Sequence, residues 1–301
     1  MRSPSCFTKL YLLTICCVLL LSLIAKGQTA SDPDFTIIVL PDTQYYSATY
    51  PGTFTAQTNW IVANKAALNI QGVIGVGDIV NGGGSLTQWQ NADTSVKVLE
   101  GKVPYVLPIG NHDYNSNDPP NRTSSATNFN KYFGPARYQN SFSGWRGSYP
   151  SGSNENFYSV WTINGKQYLI MSLEFYPRKG AVDWASGVIA ANQDKEVILT
   201  MHSYEYFDNT RVALCDKYNA EYYGMGADYD GEDLFYGLVK KYKNVNLVLS
   251  GHIVTGVSGQ GAAGHRSDMG ANGNLVNQVM ANYQNMTNGG NGYLRIMKFR
   301  P

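Results

Sequence analysis

Runs of β-branched and aliphatic residues recur along this chain, and each stops at a polar residue. "DFTIIVLPD" gives way to a loop carrying Asp42, "GVIGVGD" ends at Asp78, and "VPYVLPIGNHD" ends at Asn111, His112 and Asp113. Between them, "TFTAQTNWIVANKAALN" spaces Trp60, Ile61, Ala67 and Leu68 as a helix would, with Thr53 or Thr55 placed to cap it. "LTQWQNADTSVKVLEG" reads as a second helix, closed by Gly101 in the usual stop position. Two strand–helix–strand units in succession predict a parallel sheet under helices. In such sheets ligands collect outside the carboxyl ends of the strands, where this chain carries its polar residues.

The rhythm breaks over residues 114–156, where Pro, Asn, Ser and scattered aromatics without a period predict a long surface insertion. "FYSVWTINGKQYLIMSLE" then predicts a hairpin turning at Asn164-Gly165. A helix around 179–192 leads into "KEVILTMHS", an apolar strand that ends at His202. A second irregular stretch, rich in Tyr, spans 204–229. It is followed by the amphipathic "GEDLFYGLVKKYKN" and by "VNLVLSGH", a strand ending at His252. The tail segments "GNLVNQVMANYQN" and "GGNGYLRIMKF" alternate as antiparallel strands would. With no internal repeat and no linker, a single domain over residues 28–301 is expected.

The first residues belong to a different pattern. Arg2 and Lys9 precede an apolar run from Tyr11 to Ala25, and small and polar residues follow. This is the layout of a secretory signal peptide over residues 1–27, with Ala25 and Gly27 at the small-residue positions before cleavage. A single membrane anchor is the alternative, but the run is shorter than the ~20 apolar residues a spanning helix needs. A secreted or periplasmic location, without stable membrane association, is the expectation.

The formal net charge of +1 argues against nucleic acid as a partner, because no general attraction to a polyanion follows from it. After cleavage only Cys215 remains, so no intrachain disulfide is possible. The chain has 4 histidines, and His112, His202 and His252 each follow an apolar strand. One histidine alone is usually an ordinary residue. Three at strand ends, with Asp42, Asp78 and Asn111 at other strand ends, converge on one rim of the sheet. Carboxylate, imidazole and amide oxygen together suit a divalent ion such as Mn, Fe or Zn, with Mg also accommodated.

Taken in order, Asp42-Thr43-Gln44, Gly77-Asp78, Gly110-Asn111-His112-Asp113, Met201-His202 and Gly251-His252 resemble the blocks of the calcineurin-like metallophosphoesterases. The resemblance implies an α/β fold arranged as a four-layer α/β/β/α sandwich. It also implies hydrolysis of phosphate mono- or diesters by a metal-bound hydroxide at a two-ion centre, acting on a small phosphorylated substrate. Carried over residue by residue, it implies that Asp78 bridges the ions and that Asn111, His202 and His252 complete one site. Asp42 and Gln44 serve the other. His112 is implied to act on the substrate, stabilising the transition state or protonating the leaving oxygen, with Asp113 orienting it. Two ions about 3.5–4 Å apart can activate water and clamp both the attacking and the leaving oxygen.

This chain departs from the family pattern twice. The first block, commonly Asp-x-His, here ends in Gln44, and the last, commonly Gly-His-x-His, has Val254 in its final position. Both losses fall on one site, so one tight ion and one weaker, more oxygen-rich site are expected. His265, in a Gly-rich stretch, or a backbone carbonyl near Thr255 are the alternatives for replacing the lost imidazole. A non-catalytic, metal-containing binding protein for a phosphorylated ligand is the competing reading. Substrate-binding residues are unassigned: Tyr204, Tyr206, Tyr222 and Tyr223 either stack on a base or sugar or pack the loops. The Gly82–Gly84 run is either a flexible turn or a close approach to phosphate.

Overall fold

The protein is described by a computed structural model over residues 32–115, 125–141, 143–225 and 228–300. The leader expected at 1–27 lies outside the described residues. Residues 34–299 form one compact unit. It is built on β1 (Phe35–Leu40), β2 (Ile70–Gly75), β3 (Tyr105–Val106), β4 (Trp145–Tyr149), β5 (Asn156–Ile163), β6 (Lys166–Ser172), β7 (Glu196–Thr200), β8 (Val245–Ser250), β9 (Ala262–Met269), β10 (Leu275–Asn282) and β11 (Arg295–Phe299). The helices are α1 (Gln44–Ala48), α2 (Pro51–Ala63), α3 (Leu86–Lys97), α4 (Thr127–Phe133), α5 (Pro135–Asn140), α6 (Lys179–Ala190) and α7 (Gly231–Gly237).

The strands make two sheets, ordered β11-β1-β2-β3 and β4-β5-β6-β7-β8-β10-β9. Period-2 alternation explains why these stack. In β6, β7 and β8, Ile170, Ile198, Leu247 and Leu249 face one core together with β1 and β2, while Leu169, Met171, Val197, Leu199 and Val248 face a second core. The first core also takes Phe54 and Ile61 of α2 and Trp89, Ala92 and Val96 of α3. The second takes Val182, Ala185 and Ile189 of α6 with Leu234 and Phe235 of α7. Helices therefore flank both outer faces of the paired sheets, giving the four layers expected. The two sheets also meet through Thr200 Oγ1, which donates to the Gly75 carbonyl at 2.7 Å.

The parallel core β1-β2-β3 and the β5–β6 hairpin follow the sequence expectation, with Asn164 and Gly165 at φ 51° and 78°. Three expectations are corrected. The described part of residues 114–156 is not simply a surface insertion, since it holds α4, α5 and β4 and contributes to the core. Phe129, Phe133 and Tyr138 are fully buried there, and Trp89 contacts the two phenylalanine rings at 6.2 and 6.1 Å. The tail is not purely antiparallel: β10 runs parallel to β8 and antiparallel to β9, while β11 pairs antiparallel with β1. Finally, the stretch around His265 is strand β9 rather than a Gly-rich loop.

One buried group is at odds with the core. Glu205, just after β7, is 0% exposed, and neither carboxylate oxygen has a hydrogen-bond partner. Burial pushes its carboxyl up to about 8, against the opposing pull of Arg266, Arg295 and Arg211. At low pH both folded and unfolded chains keep the proton. As pH rises from the ordinary range through about 8, the unfolded chain ionises first, and stability falls. Glu205→Gln is therefore expected to stabilise the protein by at least about 1 kcal/mol at pH 9, the scale of an unsatisfied buried polar group, and much less at pH 5. Urea unfolding at the two pH values checks this, and equal effects at both would refute it.

Candidate metal centre

The site residues all follow strand ends: Asp42 after β1, Asp78 after β2, Asn111–Asp113 after β3, His202 after β7 and His252 after β8. Asp42, Gln44, Asp78, Asn111, Asp113, His202 and His252 are buried, and His112 is half-buried. Asp78 and His252 adopt left-handed backbone, φ 49° and 62°. Non-glycine residues hold such angles at a cost of order 1–3 kcal/mol, and do so where the surroundings leave no alternative. The surroundings here are glycines packed against the ligands. A Cβ on Gly110 would lie 2.2 Å from Asp78 Oδ1, and one on Gly251 would lie 2.3 Å from Asp42 Oδ1. These close approaches explain why Gly precedes Asn111 and His252.

Asp78, His202 and His252 offer ligand atoms that all lie within 4.8 Å of one another. His202 Nδ1 lies 2.7 Å from the Val76 carbonyl, so that nitrogen carries the hydrogen and Nε2 presents its lone pair. Nε2 sits 3.1 Å from Asp78 Oδ2 and 3.0 Å from His252 Nδ1. The other nitrogen of His252 is 3.0 Å from the Tyr223 hydroxyl. Two imidazole nitrogens and a carboxylate oxygen thus converge in a dry pocket, an arrangement that repels itself unless a cation or a proton sits among them. The electrostatics of the cluster make the same demand. Burial opposes charge on both Asp78 and His202, yet their mutual attraction holds Asp78 at about 2 and lifts His202 to about 9. Burial and the neighbouring His202 push His252 well below the ordinary histidine range. The donor set fits a divalent ion.

Asp42 is placed differently. Its carboxylate accepts from the His252 backbone N–H at 3.3 and 3.2 Å, from Asn282 Nδ2 at 2.9 Å and from Gln284 Nε2 at 3.3 Å. Burial, reinforced by the nearby charge of Asp78, pushes it up to about 8. Gln44 donates its Nε2 to Gln284 Oε1, and its own Oε1 is buried without a hydrogen-bond partner. His265 stands exposed on β9, its backbone N–H on Asn209 Oδ1 at 2.9 Å, and does not join the three-residue cluster.

The turn after β3 is clamped to Asp78, whose Oδ1 accepts the His112 backbone N–H at 3.0 Å. Asn111 lies between this bond and the Gly110 contact. The His112 ring is held by Asn81, whose carbonyl lies 2.8 Å from Nδ1. Asp113 does not orient that ring, contrary to what the resemblance implied. Its carboxylate accepts from Gly110 N at 2.8 Å and Val80 N at 2.9 Å, fastening the two turns together. Burial, then the charge of Asp78, raises it to about 7.

Asn282, Gln284 and Asn81 join the site without having been singled out from the sequence. Asn282 ends β10, so the rule that polar residues close apolar strands applies to it as well. Of the tyrosines singled out, Tyr204 is fully buried with its hydroxyl on Gln278 Oε1 at 3.0 Å, a packing role. Tyr223 stands 5.4 Å from the His252 ring, Tyr222 is exposed with its ring 5.2 Å from that of Tyr223, and Tyr206 lies tilted against Phe207 at 4.7 Å. The Gly83 carbonyl accepts from Trp89 Nε1 at 2.8 Å and Asn128 Nδ2 at 2.9 Å, which makes that run a packed turn.

A family model described as calcineurin-like phosphoesterase matches residues 35–256. The "Uncharacterized protein YvnB" of Bacillus subtilis (strain 168) is 33% identical over 266 residues, an alignment covering 88% of this chain and 19% of that protein. This chain therefore spans about 19% of that relative's length. A purple acid phosphatase isolated from yellow lupin (Lupinus luteus) seeds is similar in structure with a TM-score of 0.48 and 16% identity, covering 87% of this chain and 44% of that one. TT1561 of Thermus thermophilus gives 0.46 and 10%, covering 88% and 99%. With the family match running from β1 through β8 and including every strand end that carries a clustered ligand, the chain belongs to the calcineurin-like phosphoesterase family.

Proposed function

We propose that this protein is an exported, metal-dependent hydrolase of small phosphate mono- or diesters. The observation that carries the reading is the convergence of Asp78, His202 and His252 beside a histidine, His112, whose ring is anchored elsewhere. In this reading Asp78, Asn111, His202 and His252 hold one ion tightly. Asp42, Gln44 and the shared Asp78 hold a second more weakly, an oxygen-rich set suited to Mn or Mg. When bound, such ions polarise the phosphoryl oxygens and supply activated water. The chain does the rest. The carbonyl of Asn81 takes the hydrogen of His112 Nδ1, so that in the doubly protonated ring the Nε2–H is left to donate to a phosphoryl oxygen or to pass its proton to the leaving oxygen. Asp113 keeps the β2 and β3 turns in register, and the Tyr223 hydroxyl holds the His252 ring through its Nε2.

Export rests on the leader-like residues 1–27; among the described residues no helix is long and apolar enough to cross a membrane. One preparation tests the whole reading. Protein recovered from outside the cytoplasm should begin near Gln28 by mass spectrometry and retain about one metal per chain. It should turn over aryl phosphate mono- or diesters faster when Mn or Mg is added. Absence of both metal and turnover under any supplementation would leave the non-catalytic binding protein as the better account.

A further inference from the structure

Two amide side chains, Gln284 and Gln44, form a one-way chain of hydrogen bonds that starts at Asp42. A carboxylate offers only acceptors, so the Asp42 oxygen takes the NH2 end of the Gln284 amide. That commits Gln284 to turn its carbonyl outward, where it accepts from the NH2 end of Gln44. Gln44 is committed in turn: its NH2 faces Gln284, and its Oε1 is left buried with no hydrogen-bond partner, in a residue only 2% exposed. A buried, unsatisfied amide oxygen is costly, on the order of 1–3 kcal/mol, unless something fills it. Asn282 keeps the first link in place, donating Nδ2 to both Asp42 Oδ2 and the His252 carbonyl at 2.9 and 3.0 Å, while its own Oδ1 accepts the Gln284 backbone N–H at 2.9 Å.

We propose that Gln284 is a positioning residue that turns the Gln44 amide so that oxygen, rather than nitrogen, is offered to a second divalent cation beside Asp42. The inference rests on the metallohydrolase reading above and adds to it the device that stands in for the absent imidazoles. An amide that were free to flip would spend part of its time presenting NH2, which repels a cation. The relay removes that choice by referring it back to a carboxylate. It selects for hard ions that accept neutral oxygen donors, Mn or Mg, over ions that favour imidazole.

The test reads metal binding rather than turnover. The full chain is loaded with one equivalent of Zn at the tight site, and Mn affinity for the remaining site is measured by equilibrium dialysis. Gln284→Ala is expected to weaken Mn binding by ~10–100-fold, the usual effect of removing a group that orients a ligand, with Zn retention unchanged. In a Gln44→Glu background both terminal atoms are oxygen and orientation ceases to matter. There Gln284→Ala should cost little. Equal losses in the two backgrounds, no loss in either, or no Mn site in the unmodified chain would overturn the proposal. Failure to hold Zn at all would instead strike the metallohydrolase reading beneath it. Should Gln284→Ala not fold, Gln284→Met keeps the length of the side chain and is read in the same way.

Discussion

Replacing His112 with alanine is expected to lower turnover of a phosphate ester by ~10²–10⁴-fold while leaving the metal content unchanged, the range spanned by one positioned acid or base. The two halves of this expectation come from separate atoms. The backbone N–H of His112 bonds to Asp78 Oδ1, and alanine keeps that bond, so the turn and the ligand stay where they are. The ring bonds only to the Asn81 carbonyl among the described residues, and neither its nitrogens nor its carbons belong to the Asp78–His202–His252 cluster. Removing the ring therefore deletes the group proposed to act on the substrate and leaves the Asp78–His202–His252 cluster intact. Steady-state kinetics beside metal analysis decides it: a variant that loses its metal would show that His112 is a ligand, and one that keeps full activity would show that it is idle.

Stripping the metal should have the larger consequence, because it acts on the fold as well as on the reaction. A chelator is expected to abolish turnover and to lower unfolding stability by about 2.7 kcal/mol relative to protein held with ion at about a hundred times its Kd. The reason lies in the converging lone pairs. Without a cation, Asp78 must share a proton with His202, and His252 Nδ1 faces that pair at 3.0 Å with burial keeping it neutral. Thermal or urea unfolding with and without chelator, followed by re-addition of Zn or Mn, measures this. Superimposable curves would mean that no ion occupies the cluster.

Much of this was readable before any coordinates, and the reason is geometric. In a parallel sheet under helices, strand ends share one rim, so a polar residue that closes an apolar run is already placed. That reasoning located Asp42, Asp78, Asn111, His202 and His252 from sequence alone. Asn282 obeys the same rule at the end of β10, but alternation in the tail suggests antiparallel strands, whereas β10 runs parallel to β8 and so ends on the same rim. Helices α4 and α5, of 7 and 6 residues, are too short to display a period. Strand β9 turns only Ala262 and Gly264 inward at its start, residues too small to advertise an apolar face. Gln284 reaches the site through the loop after β10, and nothing local in sequence states where a loop will return.

The pairing of the first strand with the last bears on how this unit can be carried within a longer polypeptide. β1 and β11 run antiparallel with Phe35 opposite Phe299, their rings stacked at 4.7 Å, so the points where the chain enters and leaves the sandwich are next to each other. A host protein could accept the unit in a single surface loop without spreading that loop apart. The same geometry governs mechanical load. Tension drawn through both ends falls on the Phe35–Phe299 rung first and then on each rung behind it in turn, as a zip opens, whereas strands gripped at opposite ends would resist with all rungs together. The seam that makes the unit easy to graft is also where it yields when pulled.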